Sequence, residues 1–123
     1  MDQSLFVLEL KEWLEKQLER PHALTIEVVA EKAGYSKWHL QRLFRDVTGE
    51  NLGVYIRDRR LNMASVALCR SKLTIIEISV QYGFDSQQSF TRAFRRKFNC
   101  TPGRYRKIHK ESLSLTTNYG QER

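Results

Sequence analysis

Apolar residues recur along this chain at the three- and four-residue intervals of helices, and no stretch alternates as a half-buried strand would. The first such run spans about Ser4 to Glu19, with Val7, Leu10, Leu14 and Leu18 on one stripe, and Pro21 ends it. A short run from Thr25 to Lys32 predicts a second helix, closed by Gly34. Ser36 is placed to cap a third, whose buried stripe is Leu40, Leu43, Phe44 and Val47. The fourth runs from Leu52 to about Cys69 and is apolar on more than one side. Thr74 and Glu77 make a Thr-x-x-Glu capping box for a fifth. A sixth starts near Gln87 and a seventh near Pro102, since proline suits the first helical position. The expected fold is all-α with seven helices.

One residue breaks the pattern. In "SKWHLQRLF" a turn of about 100° per residue places Trp38, Gln41, Arg42 and Arg45 opposite the apolar stripe. A tryptophan there faces away from the core.

The second half of the chain repeats the first. With an offset of 49, Ile26 matches Ile75, Val29 matches Ile78, Gly34 matches Gly83 and Tyr35 matches Phe84. After one inserted residue the offset is 50: Leu40 matches Phe90, Arg42 matches Arg92, Phe44 matches Phe94, Arg45 matches Arg95, Gly53 matches Gly103 and Tyr55 matches Tyr105. Two copies at this spacing are too few for a solenoid. Each copy is a short helix, a glycine-bearing turn and a longer helix, the helix-turn-helix whose second helix enters a DNA major groove. In the second copy Gln88, Thr91 and Arg92 take the places of Trp38, Gln41 and Arg42, again opposite an apolar stripe of Phe90, Ala93 and Phe94. These residue types read base edges: arginine reaches guanine, glutamine pairs with adenine, and a ring or a threonine methyl touches the thymine methyl. Trp38 then faces outward because DNA covers it.

Charge sharpens this reading. Residues 1–36 carry four basic and seven acidic side chains, residues 37–110 carry sixteen and five, and the total is +7. From Gln87 to Lys110 there are eight basic residues and no acid, and a one-sign stretch of this kind fits a polyanion. Too many of these cations exist for all to read bases, so some serve phosphates, which position without specifying. The phosphate set expected is Lys37, Arg45, Arg57, Arg60, Arg95, Arg96, Lys97 and Arg106, with the backbones of Gly53 and Gly103. Each glycine starts the helix after a recognition helix, where free N–H groups favour an anion; helix entry geometry explains them equally well.

The stretches "AGYSKWHLQRLF" and "YGFDSQQSFTRAFRRKFNCTPGRYR" closely resemble the DNA-binding region of the AraC/XylS transcription activators, in particular the small single-domain branch of MarA, SoxS, Rob and RamA. The resemblance covers roughly Leu5 to His109. It implies a helix-turn-helix subdomain over residues 1–51, a linker helix over 52–70 and a second subdomain over 71–110. It also implies monomeric binding to double-stranded promoter DNA, with both recognition helices on one side. Base contacts carry over to Trp38, Gln41 and Arg42, and to Gln87, Gln88, Thr91 and Arg92. Activation of multidrug, solvent-tolerance and superoxide promoters with RNA polymerase follows by the same likeness, as does a cytoplasmic, nucleoid-associated location. An effector-binding domain, which larger members of the family carry, is not expected here. The polar stretch 111–123 has no counterpart and is expected to be disordered.

Other chemistry finds little support. His22, His39 and His109 have no ligand partner at metal spacing, and no phosphate-binding loop or nucleophile motif occurs, so neither an enzyme, a metal nor a cofactor is expected. Cys69 and Cys100 read as two reduced thiols. No apolar run is long enough to span a membrane, and the N-terminus lacks the basic start of a secretory signal. A nonspecific RNA- or membrane-surface protein would explain the charge but not the duplicated turns. A repressor or competitor that binds DNA without activating remains open.

Overall fold

The computed structural model describes residues 3–17 and 25–110. Seven helices and no strand lie within them: α1 Gln3–Gln17, α2 Ile26–Ala33, α3 Lys37–Thr48, α4 Leu52–Arg70, α5 Ile75–Gln81, α6 Gln87–Phe98 and α7 over 102–110. Leu18, Glu19 and Pro21, which the sequence reading placed at the end of the first helix, lie outside the described residues, as does the stretch 111–123. No described helix is long and apolar enough to cross a membrane.

Two compact units divide the chain, Met1–Arg60 and Leu61–Arg123. The division falls inside α4. Each half of the helix that the sequence reading set apart as a linker contributes to the core on its own side. In the first unit Leu52 and Ile56 are buried, together with Val7, Leu10 and Leu14 of α1, Val29 and Ala30 of α2, and Leu40, Leu43 and Phe44 of α3. In the second, Leu61, Ala64 and Leu68 form one cluster with Ile78, Phe90 and Phe94. Phe84, Ala93, Phe98 and Tyr105 pack against that cluster.

The repeat extends to the backbone. Thr25 and Thr74 cap α2 and α5 by accepting from the N–H groups of Val28 and Glu77. Ser36 and Ser86 cap α3 and α6 by accepting from His39 and Ser89. Asn51 and Thr101 cap α4 and α7 by accepting from Val54 and Arg104. A reciprocal capping box is formed at Ser86 and Ser89, one helix later than the Thr74–Glu77 pair in which the sequence placed one.

Both helix-turn-helix turns close in the same way. Gly34 and Gly83 have φ of 78° and 82°, a left-handed conformation that costs glycine nothing. The residues after them, Tyr35 and Phe84, donate their N–H groups back to Ala30 and Ser79 at 3.0 and 2.9 Å. This is the Schellman pattern, in which an apolar residue follows the glycine and folds back on its helix. Tyr35 meets the ring of Phe6 at 5.3 Å, and Phe84 meets that of Phe90 at 5.1 Å. These contacts fix how α3 and α6 leave their turns.

One long-range tie has no equivalent in the first copy. Arg106 of α7 donates from Nε to the Leu68 carbonyl at 2.9 Å, and from a terminal nitrogen to the Leu73 carbonyl at 2.5 Å. It thus satisfies a carbonyl in the last turn of α4, where no intrahelical donor remains. Hydrogen bonds to a charged donor contribute about 1.5–3 kcal/mol. Arg106→Ala should therefore lower the urea midpoint of the second unit by a corresponding amount, and Arg106→Lys should not restore it, since an ammonium lacks the planar fork. A midpoint unchanged in Arg106→Ala would show that water replaces the guanidinium at no cost.

Candidate nucleic-acid interface

The two longer helices of the repeat are built alike. Each begins at a serine cap preceded by a glycine turn, and each ends in the left-handed conformation, at Gly49 for α3 and Asn99 for α6. Between those limits one face is filled by Leu40, Leu43 and Phe44, or by Phe90 and Phe94, all buried. Burial of these faces fixes the rotation of each helix, and hence which side chains point out.

On α3, Trp38 is 68% exposed, the most open of the large apolar side chains described. Arg42 is also exposed, and Gln41 is half-buried beside them. Trp38, Gln41, Arg42, Arg45 and Asn51 together line one shallow depression. On α6, Gln87, Gln88 and Arg92 are exposed and Thr91 is half-buried. They line a second depression with Ser86. The residues that the sequence singled out as base readers are thus gathered into one open surface on each unit. Asn51 and Ser86 join these surfaces and were absent from the expected set. Each also caps the helix it precedes, and a polar residue at a helix start was the one signal that could have marked them.

The cations expected at phosphates divide. Arg45, Arg57, Arg95 and Arg96 are exposed. Lys97 is half-buried, its Nζ 5.9 Å from the Phe98 ring centroid. Lys37 bridges Glu27 at 2.8 Å, and this hydrogen bond holds the Glu27 carboxyl below its ordinary pKa. That pair is open to water on both sides and so holds Lys37 only weakly.

Two members of the set depart from expectation. Arg106 is engaged with the carbonyls of Leu68 and Leu73, which makes it a structural tie rather than a phosphate contact. Arg60 is half-buried, and desolvation pushes its guanidinium below the ordinary arginine value. A group already withdrawn from water is a poor surface contact. Arg59, on the adjoining position, is held by Glu15 at 2.7 and 2.9 Å.

The paired glycines also differ. A Cβ on Gly53 would lie 3.2 Å from the Asn51 side-chain oxygen and 3.4 Å from Ile26, so close packing at the start of α4 explains it. A Cβ on Gly103 would meet nothing within 4 Å. Internal packing gives no reason for Gly103.

Comparisons with known proteins agree with this geometry. Residues 29–108 match the family described as a helix-turn-helix domain. The transcriptional regulator Rob of Salmonella typhimurium is 53% identical over 107 residues, covering 87% of this chain but 36% of Rob. The chain therefore spans about a third of that relative's length. The regulatory protein SoxS of the same organism is 47% identical over 106 residues, covering 86% of this chain and 97% of SoxS. Among solved structures, a transcriptional regulator with an AraC-type DNA-binding domain from Chromobacterium violaceum superposes with a TM-score of 0.72 at 30% identity, over 84% of this chain and 90% of that one. The chain belongs to the AraC-type helix-turn-helix family of transcription regulators, in the branch that includes SoxS and Rob.

Proposed function

We propose that this chain binds double-stranded DNA in a sequence-specific way and regulates transcription from the promoters it occupies. The observation that carries the reading is the matched pair of outward faces on α3 and α6. Each presents an exposed arginine, Arg42 or Arg92, with neighbouring amide, hydroxyl or indole groups at repeat-equivalent positions. Trp38, Gln41 and Arg42 read one element, and Gln87, Gln88, Thr91 and Arg92 read another. A symmetric dimer reads a palindrome because its two helices are identical. Here the helices differ, so the target is asymmetric and a monomer suffices. The division into a helix-turn-helix subdomain, a linker helix and a second subdomain belongs to the same proposal. Activation of stress or multidrug promoters through RNA polymerase, in the cytoplasm, rests on the likeness to SoxS and Rob.

Selection of bound duplexes from a random-sequence library tests the reading. Arg42→Ala and Arg92→Ala should each weaken binding by roughly 1–3 kcal/mol. Each should relax preference at one or two base pairs, and the relaxed positions should differ between the two variants. Base preferences identical to those of the native chain in both variants would remove these arginines as readers.

A further inference from the structure

The outward face of α3 contains a contact that α6 has no ring to make. Arg42 lies one helical turn after Trp38, and its guanidinium carbon is 5.4 Å from the indole centroid. That is within the reach of about 6 Å at which a cation is attracted to an aromatic face. At the repeat-equivalent positions α6 carries Gln88 and Arg92, with an amide where α3 has the indole. The same two residues of α3 share two depressions, one with Gln41, Arg45 and Asn51, the other with His39 and Asp46.

We propose that Trp38 is a positioning residue for Arg42, and this rests on the DNA-binding reading above. Stacking uses the flat face of the guanidinium and leaves its N–H edge free. That edge makes the bidentate contact with guanine. An ion pair with a carboxylate would occupy the edge instead. An arginine already stacked also loses less rotamer freedom on binding than one that samples solvent. The indole thus raises the stringency of the element read by α3. Arg92, with no ring beneath it, reads its own element without that restraint.

The test uses the full chain and duplexes recovered from a random library with the native sequence. In the free protein, NMR should show the Arg42 side-chain protons displaced upfield by the indole ring current, and Trp38→Ala should abolish the displacement. In a binding cycle, Trp38→Ala should cost about two- to fivefold more with Arg42 present than in Arg42→Ala, the size expected of an exposed cation–π pair. Trp38→Ala should also relax preference at the base pair that Arg42→Ala relaxes. Trp38→Phe should restore most of this, and Trp38→Leu, apolar but without a π face, should not. Gln88→Ala should leave the preference at the Arg92 position unchanged. Independent multiplication of the two losses, or Arg42 signals at their unstacked positions, would overturn the proposal. A native chain that recovers no sequence would defeat the DNA-binding reading, while the ring-current measurement still judges the stack.

Discussion

Phe94→Ala should leave the second unit largely unfolded at 25 °C. The Phe94 side chain is fully buried, with ring centroids 5.6 Å from Phe90, 4.4 Å from Phe98 and 5.2 Å from Tyr105. Removing a buried phenylalanine costs about 3–5 kcal/mol, from lost transfer energy and the cavity left behind. Aromatic pairs contribute roughly 0.5–1.5 kcal/mol each beyond area. A single core of this size rarely supplies more than about 3–5 kcal/mol in all. The loss is therefore comparable to the whole stability of the unit. Urea unfolding followed by circular dichroism, with amide NMR to assign the loss to residues beyond Leu61, measures it. Phe44→Ala, at the repeat-matched position, should act in the same way on the first unit, where Phe44 is buried and 5.4 Å from Tyr55. A loss below about 1 kcal/mol in Phe94→Ala would mean that the neighbouring rings collapse into the gap.

The elements of the fold were legible because their signals are short-range. Apolar residues at helical spacing, a serine or threonine before a run and a glycine after it all act within one turn of the chain. The structure honours them at Ser36, Gly34, Thr74 and Gly83. The outward aspect of Trp38 followed from the same geometry, since burial of Leu40 and Phe44 leaves it no other side. The tie made by Arg106 was hidden for the converse reason. Its partners lie 33 and 38 residues away and are backbone carbonyls, which no residue identity marks. The capping box at Ser86 was missed because its third residue is serine, not the glutamate or glutamine the pattern expects. The approach of Arg42 to the Trp38 ring has the right spacing for a helical pair, but spacing alone does not choose between an indole and a carboxylate as the arginine's neighbour.

Binding to DNA should fall steeply with salt, and the structure narrows how steeply. Charge alone suggests on the order of 6–10 phosphate contacts and a slope of log K against log[salt] between about −5 and −9. Arg106 is occupied by carbonyls, and Arg60 has its Nε buried and its guanidinium desolvated, so both leave the count. The expected set then reduces to Lys37, Arg45, Arg57, Arg95, Arg96 and Lys97. About six contacts give a slope near −5, at about 0.9 per phosphate neutralised. Between 50 and 200 mM salt the affinity for one duplex should thus drop by on the order of a thousandfold. Single substitutions separate the roles. Arg95→Ala or Arg96→Ala should flatten the slope by about one and weaken every sequence alike. Arg106→Ala should leave the slope unchanged, because that guanidinium faces the α4 terminus and not the solvent anion. A slope shallower than about −2 would mean that base contacts and shape, with few phosphates, hold this protein on DNA. Loss of slope in Arg106→Ala, with the second unit still folded, would return that arginine to the DNA surface.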